Sequence, residues 1–310
     1  MGEQSFFIAV FSSAVIAGTP ILLAALGEVV TERAGILNLG VEGMMLIGAV
    51  SGFMAAIVTG SCWLGLLTAM LSGGVMGLIH AALTVSLRAN QVVSGLALTL
   101  FGSGLSGYLG KAYIGMPVAE PFRTVPLPVL SEIPFLGPVL FRHDVLVYLS
   151  WVLVLALWLF LQRTRPGLYL QAIGENPGAA DSLGINVAGL RYLYVIVGGM
   201  LCGAGGAYLS LASAPSWLEN MTAGRGWIAV ALVIFALWRP WRALAGAYLF
   251  GGIDALGFHL QAAGVHVSQF FLQMLPYIFT ITVLTVVMAR RGGRIAAPGA
   301  LGLPYDREER

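Results

Sequence analysis

Long apolar stretches without charged residues fill most of the chain, and short segments that carry arginine or acidic residues separate them. Residues 6–27, 43–87 and 89–110 contain no Asp, Glu, Lys or Arg. About 20 consecutive apolar residues are enough for a helix to cross the hydrocarbon core of a bilayer. The pattern therefore predicts nine membrane spans, at about residues 6–27, 36–58, 63–87, 91–110, 145–162, 192–212, 226–238, 241–258 and 268–288.

Composition extends this interpretation to the whole chain. Of the 310 residues, 58% are hydrophobic and 10% are charged, whereas soluble domains carry about 25% charged residues. We therefore expect one all-α transmembrane domain, residues 1–310, built as a polytopic helix bundle with eight to ten spans. The seventh predicted span lies between Arg225 and Arg239 and is short, so it could be a half-helix that pairs with the eighth.

The basic residues predict the orientation, because short cytoplasmic loops are enriched in Lys and Arg. With the N-terminus outside, the basic residues of the external segments are Lys111, Arg123, Arg142 and Arg225. Those of the cytoplasmic segments are Arg33, Arg88, Arg163, Arg165, Arg191, Arg239, Arg242, Arg290, Arg291, Arg294, Arg307 and Arg310. The distribution predicts an external N-terminus and a cytoplasmic C-terminus.

Three segments between or after the spans have compositions of their own. Residues 111–144 are rich in proline, which excludes a long helix, so we expect an irregular external cap with room for one short element. Residues 163–191 form a cytoplasmic loop. Residues 289–310 form a cytoplasmic tail, in which a basic anchor precedes a flexible end.

Glycines four residues apart recur within the predicted spans. The pairs are Gly48 with Gly52, Gly73 with Gly77, and Gly199 with Gly203. This spacing allows helix backbones to approach closely in lipid. Two interpretations remain open, namely packing within one bundle and an interface between two bundles.

Polar residues at the start of the second predicted span are the first candidates for function. Asn38 and Glu42 are four residues apart and so lie on one face of a helix. A carboxylate in the membrane costs several kcal/mol and usually faces a bundle interior or an aqueous path. Glu42 could belong to a structural polar cluster or line a substrate path, and Asn90 and Gln91 pose the same question at the fourth span.

The cytoplasmic loop contains a short predicted helix in the sequence AIGENPGAADSLGINVAGLRY. Asn176 is a favourable N-cap, Pro177 fits the first helical position, and Gly184 provides a C-terminal stop. The helix is expected over residues 177–183, with Ala180, Leu183 and Ile185 available to contact another protein. The alternative is an ordinary surface turn.

The chain offers no set of residues for catalysis. Its one lysine, Lys111, is not part of a P-loop motif, so ATP hydrolysis is not expected in this chain. The four histidines are isolated, and the two cysteines lie in apolar segments without metal-ligand spacing. We therefore expect no enzyme activity, no metal, no cofactor and no nucleic-acid partner.

Two motifs give the chain a recognisable resemblance. The stretches ERAGILNLGVEGMMLIGA (residues 32–49) and AIGENPGAADSLGINVAGLRYL (residues 172–193) resemble the permease subunits of ABC importers in the branched-chain amino acid, ribose and nucleoside group. The resemblance covers about residues 28–290 and is greatest to the nucleoside and simple-sugar permeases. It implies that Asn38, Gly40, Glu42 and Gly43 lie near the translocation path. The ATPase-docking residues that it implies are Gly174, Glu175, Asn176, Pro177, Ala180, Asp181, Gly184 and Ile185.

The resemblance also implies partners and a location. A second permease subunit, two cytosolic ATP-binding subunits and an extracytoplasmic binding protein would complete the importer in a bacterial inner membrane. The implied substrate is a nucleoside, followed by a simple sugar such as ribose and then by branched-chain amino acids. A more distant alternative is an ion-coupled secondary transporter in which Glu42 or Asp254 carries protons.

Overall fold

Most helices of this protein are apolar over their whole circumference, as expected where a helix contacts both lipid and other helices. The computed structural model describes residues 3–262, 269–290 and 297–307. Its α-helices are α1 (Glu3–Arg33), α2 (Val41–Thr59), α3 (Cys62–Ala81), α4 (Gln91–Gly110), α5 (Leu136–Leu140), α6 (Val145–Arg163), α7 (Arg165–Glu175), α8 (Pro177–Ser182), α9 (Val187–Tyr208), α10 (Arg225–Ala236), α11 (Pro240–Ala262) and α12 (Gln269–Arg290). Turns of π-helix, Ala82–Ser86 and Leu209–Ser213, extend α3 and α9.

Seven helices in the described part of the chain are long and apolar enough to cross a membrane, so this is a multi-pass membrane protein. With their extensions they are Phe6–Arg33, Val41–Thr59, Cys62–Ser86, Gln91–Tyr113, Val145–Arg163, Val187–Ser213 and Pro240–Ala262. The two remaining predicted spans correspond to α10 and α12. The all-α bundle and its approximate number of spans are therefore confirmed.

Helix α10 has only 12 residues and covers about 18 Å, against about 30 Å for the hydrocarbon core of a bilayer. The chain reaches its first residue through Gly224, whose φ is +83°, and leaves through Leu237 and Trp238, which also have positive φ. These residues make sharp turns at both ends of a helix that has the length of half a span. The half-helix interpretation matches the length of this segment, whereas its expected partner in a hairpin, α11, has 23 residues and is long enough to span the membrane.

Close backbone contacts join α2, α3 and α9 at the centre of the bundle. A Cβ atom added at Gly48 would overlap the carbonyl group of Gly203, and one added at Gly73 would overlap the carbonyl oxygen of Gly199. Gly52 and Gly77 likewise face α3 and α9 of the same chain. The glycine pairs therefore pack helices within one bundle, which is the first of the two interpretations.

The two ends of the bundle differ. At one end, which we call the cap end, residues 111–144 form an antiparallel pair of strands, β1 (Thr124–Pro126) and β2 (Arg142–Asp144), together with α5 and two 3₁₀ turns. The expectation of one short element was too low, because prolines divide the segment into several short elements instead of preventing them. The opposite end, which we call the α7–α8 end, contains the end of α1, α7, α8 and residues 297–307.

Candidate functional site

The carboxylate of Glu42 caps the N-terminus of α10. Its Oε1 accepts hydrogen bonds from the Thr222 hydroxyl at 2.6 Å and the Gly224 amide at 2.8 Å. Its Oε2 accepts one from the Gly226 amide at 2.6 Å. The side chain is buried, and a negative charge at a helix N-terminus is stabilised by the helix dipole. Glu42 thus holds the half-helix α10 against the start of α2.

Glu28 and Asn38, which precede Glu42 in the chain, are joined by hydrogen bonds. The Asn38 backbone amide donates to Glu28 Oε1 and its Nδ2 donates to Oε2, both at 3.2 Å. Asn38 Oδ1 accepts the Gly40 amide at 2.9 Å. Both side chains are fully buried. We call Glu28, Asn38 and Glu42 the buried carboxylate cluster. Glu28 and Asn38 fix the non-helical connection between α1 and α2, and Glu42 fixes the start of α10.

Gln91 and Asn90 extend this polar structure to α4. Gln91 Oε1 accepts the Leu37 amide at 2.7 Å and the side chain is buried. Asn90 is the N-cap of α4 and accepts the Val93 amide at 3.1 Å. The structure therefore brings all four predicted path residues to the 37–42 connection or the adjacent start of α4, where each makes a contact that stabilises the fold.

Helix α8 forms where the capping residues predict it. Asn176 Oδ1 accepts the Ala179 amide at 3.0 Å, Pro177 is the first helical residue, and Gly184 follows with φ +81°. Asn176, Ala179, Ser182 and Leu183 are exposed and form one stripe, and Glu175 and Gly184 at its ends are exposed as well. Leu183 is 81% exposed.

Ala180 corrects part of the docking prediction. It is 2% exposed and packs into the main hydrophobic core, so it is not available to a partner. Ile185 also packs partly against that core, and Gly174 is covered by the backbone of Arg33. These residues hold the loop on the bundle, while the exposed stripe faces away from it.

The tail crosses the same loop, which corrects the expectation of a flexible end for residues 297–307. The Ala300 amide donates to the Gly174 carbonyl at 2.8 Å, and the Gly299 amide donates to Glu175 Oε2 at 3.1 Å. Arg307 pairs with Asp181 at 3.2 Å, and Asp306 pairs with Arg88. Tail residues 291–296 and 308–310, with Arg291, Arg294 and Arg310, lie outside the described residues.

A second polar group surrounds the first residue of α10. The sequence predicts Arg225 in an external segment; in the structure it is the first residue of α10, and its side chain lies 3.7 Å from Asp254 of α11. Near them, the Ser13 hydroxyl lies 3.1 Å from His259 Nε2. Ser13, Arg225 and His259 border a cavity of about 220 Å³. We call these three residues and Asp254 the arginine pocket.

Sequence reasoning missed the arginine pocket, although two signals were present. Arg225 precedes an apolar segment too short to span a membrane, and Asp254 lies inside the next one. A cation and an anion that each interrupt neighbouring apolar segments are candidates for an intramembrane pair. Ser13 and His259 could not be added, because they are 246 positions apart in the chain.

Comparisons with known proteins agree with this architecture. The chain matches the family described as branched-chain amino acid transport system / permease component over residues 10–288. It is 43% identical to TsgC13 of Haloferax volcanii, provisionally named a glucose ABC transporter permease protein, with 98% of this chain and 99% of that protein covered.

Two further relatives are similar over nearly their full length. The guanosine ABC transporter permease protein NupQ of Bacillus subtilis is 36% identical, with 94% of each chain covered. The nucleoside ABC transporter permease protein NupC of Lactococcus lactis is also 36% identical, with 96% of each chain covered. From the match over most of its length and from these relatives, we conclude that the chain belongs to the family of branched-chain amino acid transport system permease components.

Proposed function

We propose that this chain is one permease subunit of an ATP-driven importer for a nucleoside. It would assemble with a second permease subunit, two cytosolic ATP-binding subunits and an extracytoplasmic substrate-binding protein. Closure of the ATP-binding subunits would move α8 and switch the bundle between outward and inward access. ATP hydrolysis is assigned to the partner subunits and transport to this chain.

The exposed stripe of α8 carries the proposal. A six-residue helix is too short to be stable alone, and here the buried Ala180 and the capping Asn176 fix it to the bundle. The same geometry leaves Ala179, Ser182 and Leu183 uncovered. A rigid helix with an exposed leucine is suited to enter a groove of another protein, and we assign that groove to an ATP-binding subunit.

The proposed orientation puts the α7–α8 end in the cytoplasm and the cap end outside, in a bacterial inner membrane. Arg33, Arg88, Arg307 and the α7–α8 loop gather at one end through contacts between them or with shared neighbours. Lys111, Arg123 and Arg142 belong to the cap end. This separation supports the N-out, C-in topology, since basic residues concentrate on the cytoplasmic side.

The substrate proposal draws on the relatives. NupQ and NupC carry the names of guanosine and nucleoside transporters, which favours a nucleoside. TsgC13 carries the name of a glucose transporter, so a simple sugar is the second candidate. The family description makes branched-chain amino acids the third.

A path role for Asn38, Glu42, Asn90 and Gln91 stays a prediction. The hydrogen bonds made by these residues support a structural role, because their polar atoms are already engaged within the bundle. Docking roles for Glu175 and Asp181 also stay predictions, since the tail contacts both side chains.

Two neighbouring cysteine variants test the docking role. In a chain whose buried Cys62 and Cys202 are replaced by alanine, Leu183→Cys should cross-link to the ATP-binding subunit in the assembled complex. The yield should change when ATP is added. Ala180→Cys is the matched control, because its side chain faces the core. Absence of a nucleotide-sensitive cross-link at Leu183, with the complex intact, would remove the docking assignment.

Energy coupling separates this proposal from the ion-coupled alternative. Nucleoside uptake by the reconstituted complex should require ATP and should persist with a protonophore present. Uptake by the purified chain alone, driven by a proton gradient and abolished by Asp254→Asn, would favour the secondary transporter instead.

A further inference from the structure

The arginine pocket places an ion pair at the N-terminus of α10, inside the bundle. Arg225 is the first residue of α10, where a positive charge is opposed by the helix dipole. Glu42 already caps this helix, so Arg225 adds no cap. Ionisable residues inside a membrane-spanning bundle are rare, and they usually face a cavity or a path.

The contacts of Arg225 leave one of its donors unused. Its Nη1 donates to the Met221 and Thr222 carbonyls at 3.5 and 3.2 Å, and its Nη2 lies 3.7 Å from Asp254 Oδ2. The Nε atom is buried and has no acceptor among the described residues. Because Nε is buried, a ligand in the cavity can contact only the part of the Arg225 side chain that stays exposed, 20% of it.

The surroundings of the pocket define the ligand it would accept. Arg225 and Asp254 have opposite charges and keep 20% and 23% of their side chains exposed. The pair carries no net charge, and of the two side chains only that of Arg225 borders the cavity. Ser13 and His259 add a hydroxyl and an imidazole to the cavity lining. Phe258 contributes an apolar wall that is 69% exposed.

We propose that the arginine pocket is a transient binding site in the translocation path for the hydroxyl groups of a neutral polyhydroxylated solute. This inference rests on the proposed transport function and adds the residues that contact the solute. Arg225 donates to a hydroxyl oxygen of the solute, and its pairing with Asp254 leaves the site without net charge. Ser13 and His259 complete the polar side, and Phe258 packs against a ring face.

The first experiment measures uptake by the complete complex in proteoliposomes. Adenosine, ribose and leucine are compared as solutes, and Arg225→Gln is compared with Arg239→Gln, an exposed arginine beyond the other end of the same helix. Arg225→Gln should raise KM for the transported neutral solute about 10- to 100-fold. Arg239→Gln should leave KM near its wild-type value. Arg225→Gln should also melt at a lower temperature than Arg239→Gln, because Asp254 loses its counter-ion, so KM is measured well below both melting temperatures.

The second experiment remains informative if Arg225→Gln does not assemble. Ser13→Cys, in the chain without Cys62 and Cys202, should react with a water-soluble thiol reagent in the complex, and saturating transported solute should slow the reaction. A reaction rate that the solute does not change, or an unaltered KM in Arg225→Gln, overturns the inference. A wild-type complex that shows no ATP-dependent uptake of any of the three solutes contradicts the proposed function itself.

Discussion

The buried carboxylate cluster and the arginine pocket lie on either side of the first turn of α10, yet they use their polar atoms differently. In the cluster, Glu42 accepts three hydrogen bonds and is 5% exposed. In the pocket, Arg225 is 20% exposed and retains an unused donor. A fully satisfied buried group stabilises a fold, whereas a partly exposed charged side chain that borders a cavity is available to a ligand. The comparison therefore separates residues for folding from residues for binding.

The largest expected effect is on stability, from Glu42→Ala. The substitution leaves the Thr222 hydroxyl and the Gly224 and Gly226 amides without their acceptor. Each unsatisfied donor costs about 1–3 kcal/mol, so the total loss should be about 3 kcal/mol or more. Thermal unfolding in detergent measures it.

The exposed Glu132 provides the control, since Glu132→Ala should change stability by less than about 0.5 kcal/mol. Equal melting temperatures for Glu42→Ala and Glu132→Ala would show that Glu42 does not hold α10 in place. The structural assignment of the buried carboxylate cluster would then be wrong.

The second prediction concerns the charge pair in the arginine pocket. Arg225→Gln or Asp254→Asn alone leaves one charge without its counter-ion, and each should lower stability by about 1–3 kcal/mol. The double variant removes both charges and should lie within about 1 kcal/mol of wild type. A double-mutant cycle from thermal unfolding measures the coupling.

Measured by uptake instead of stability, the double variant should no longer resemble wild type. If the pocket binds solute, the double variant should be stable but defective in uptake, because the contact between Arg225 and the solute is lost. Strict additivity of the two single effects on stability would mean that the 3.7 Å pair contributes no coupling.

The sequence predicts those features of the fold and of the candidate site that depend on residues close together in the chain. Asn176, Pro177 and Gly184 predict α8 because capping involves residues close together in the chain. Absence of charge over 20 residues predicts the spans for the same reason. The glycine spacing predicted close packing but left the partner helix undetermined.

The missed features depend on distant partners. Glu42 binds residues about 180 positions away, so its sequence neighbours cannot show whether it is satisfied. Ala180 occupies an exposed loop in sequence terms but packs into the core. Residues 297–307 have a composition typical of a flexible end, yet their backbone amides bind Gly174 and Glu175. Local composition does not reveal these contacts.

A third prediction extends the comparison to a carboxylate outside the spans. Asp144 caps α6 and accepts amide hydrogen bonds at 2.9 and 3.2 Å, plus one from the Tyr208 hydroxyl at 3.1 Å. Burial nevertheless raises the pKa of Asp144 above its ordinary value of 3.8. A raised pKa in the folded state means that the folded protein binds the proton more tightly, so the stability contribution of Asp144 should fall as pH rises through this range.

Asp144→Asn removes this titration. The melting temperature of wild type minus that of Asp144→Asn should therefore decrease from pH 3.5 to pH 7, with a smaller amplitude than the effect of Glu42→Ala. A difference that increases with pH would show that the hydrogen bonds to Asp144 outweigh its burial.

The smallest effect is expected at the surface of the α7–α8 end. Arg307 lies 3.2 Å from Asp181, but its side chain is 78% exposed, and surface ion pairs contribute about 0–1 kcal/mol. Arg307→Ala should therefore change stability by less than about 1 kcal/mol, and added salt should reduce even that difference.

Ala300→Asp is the informative comparison, because Ala300 is 6% exposed and its amide binds Gly174. Limited proteolysis should cut the tail of Ala300→Asp faster than that of Arg307→Ala. Faster cutting of Arg307→Ala than of Ala300→Asp would mean that the exposed ion pair, rather than the buried contact, holds the tail across the docking loop.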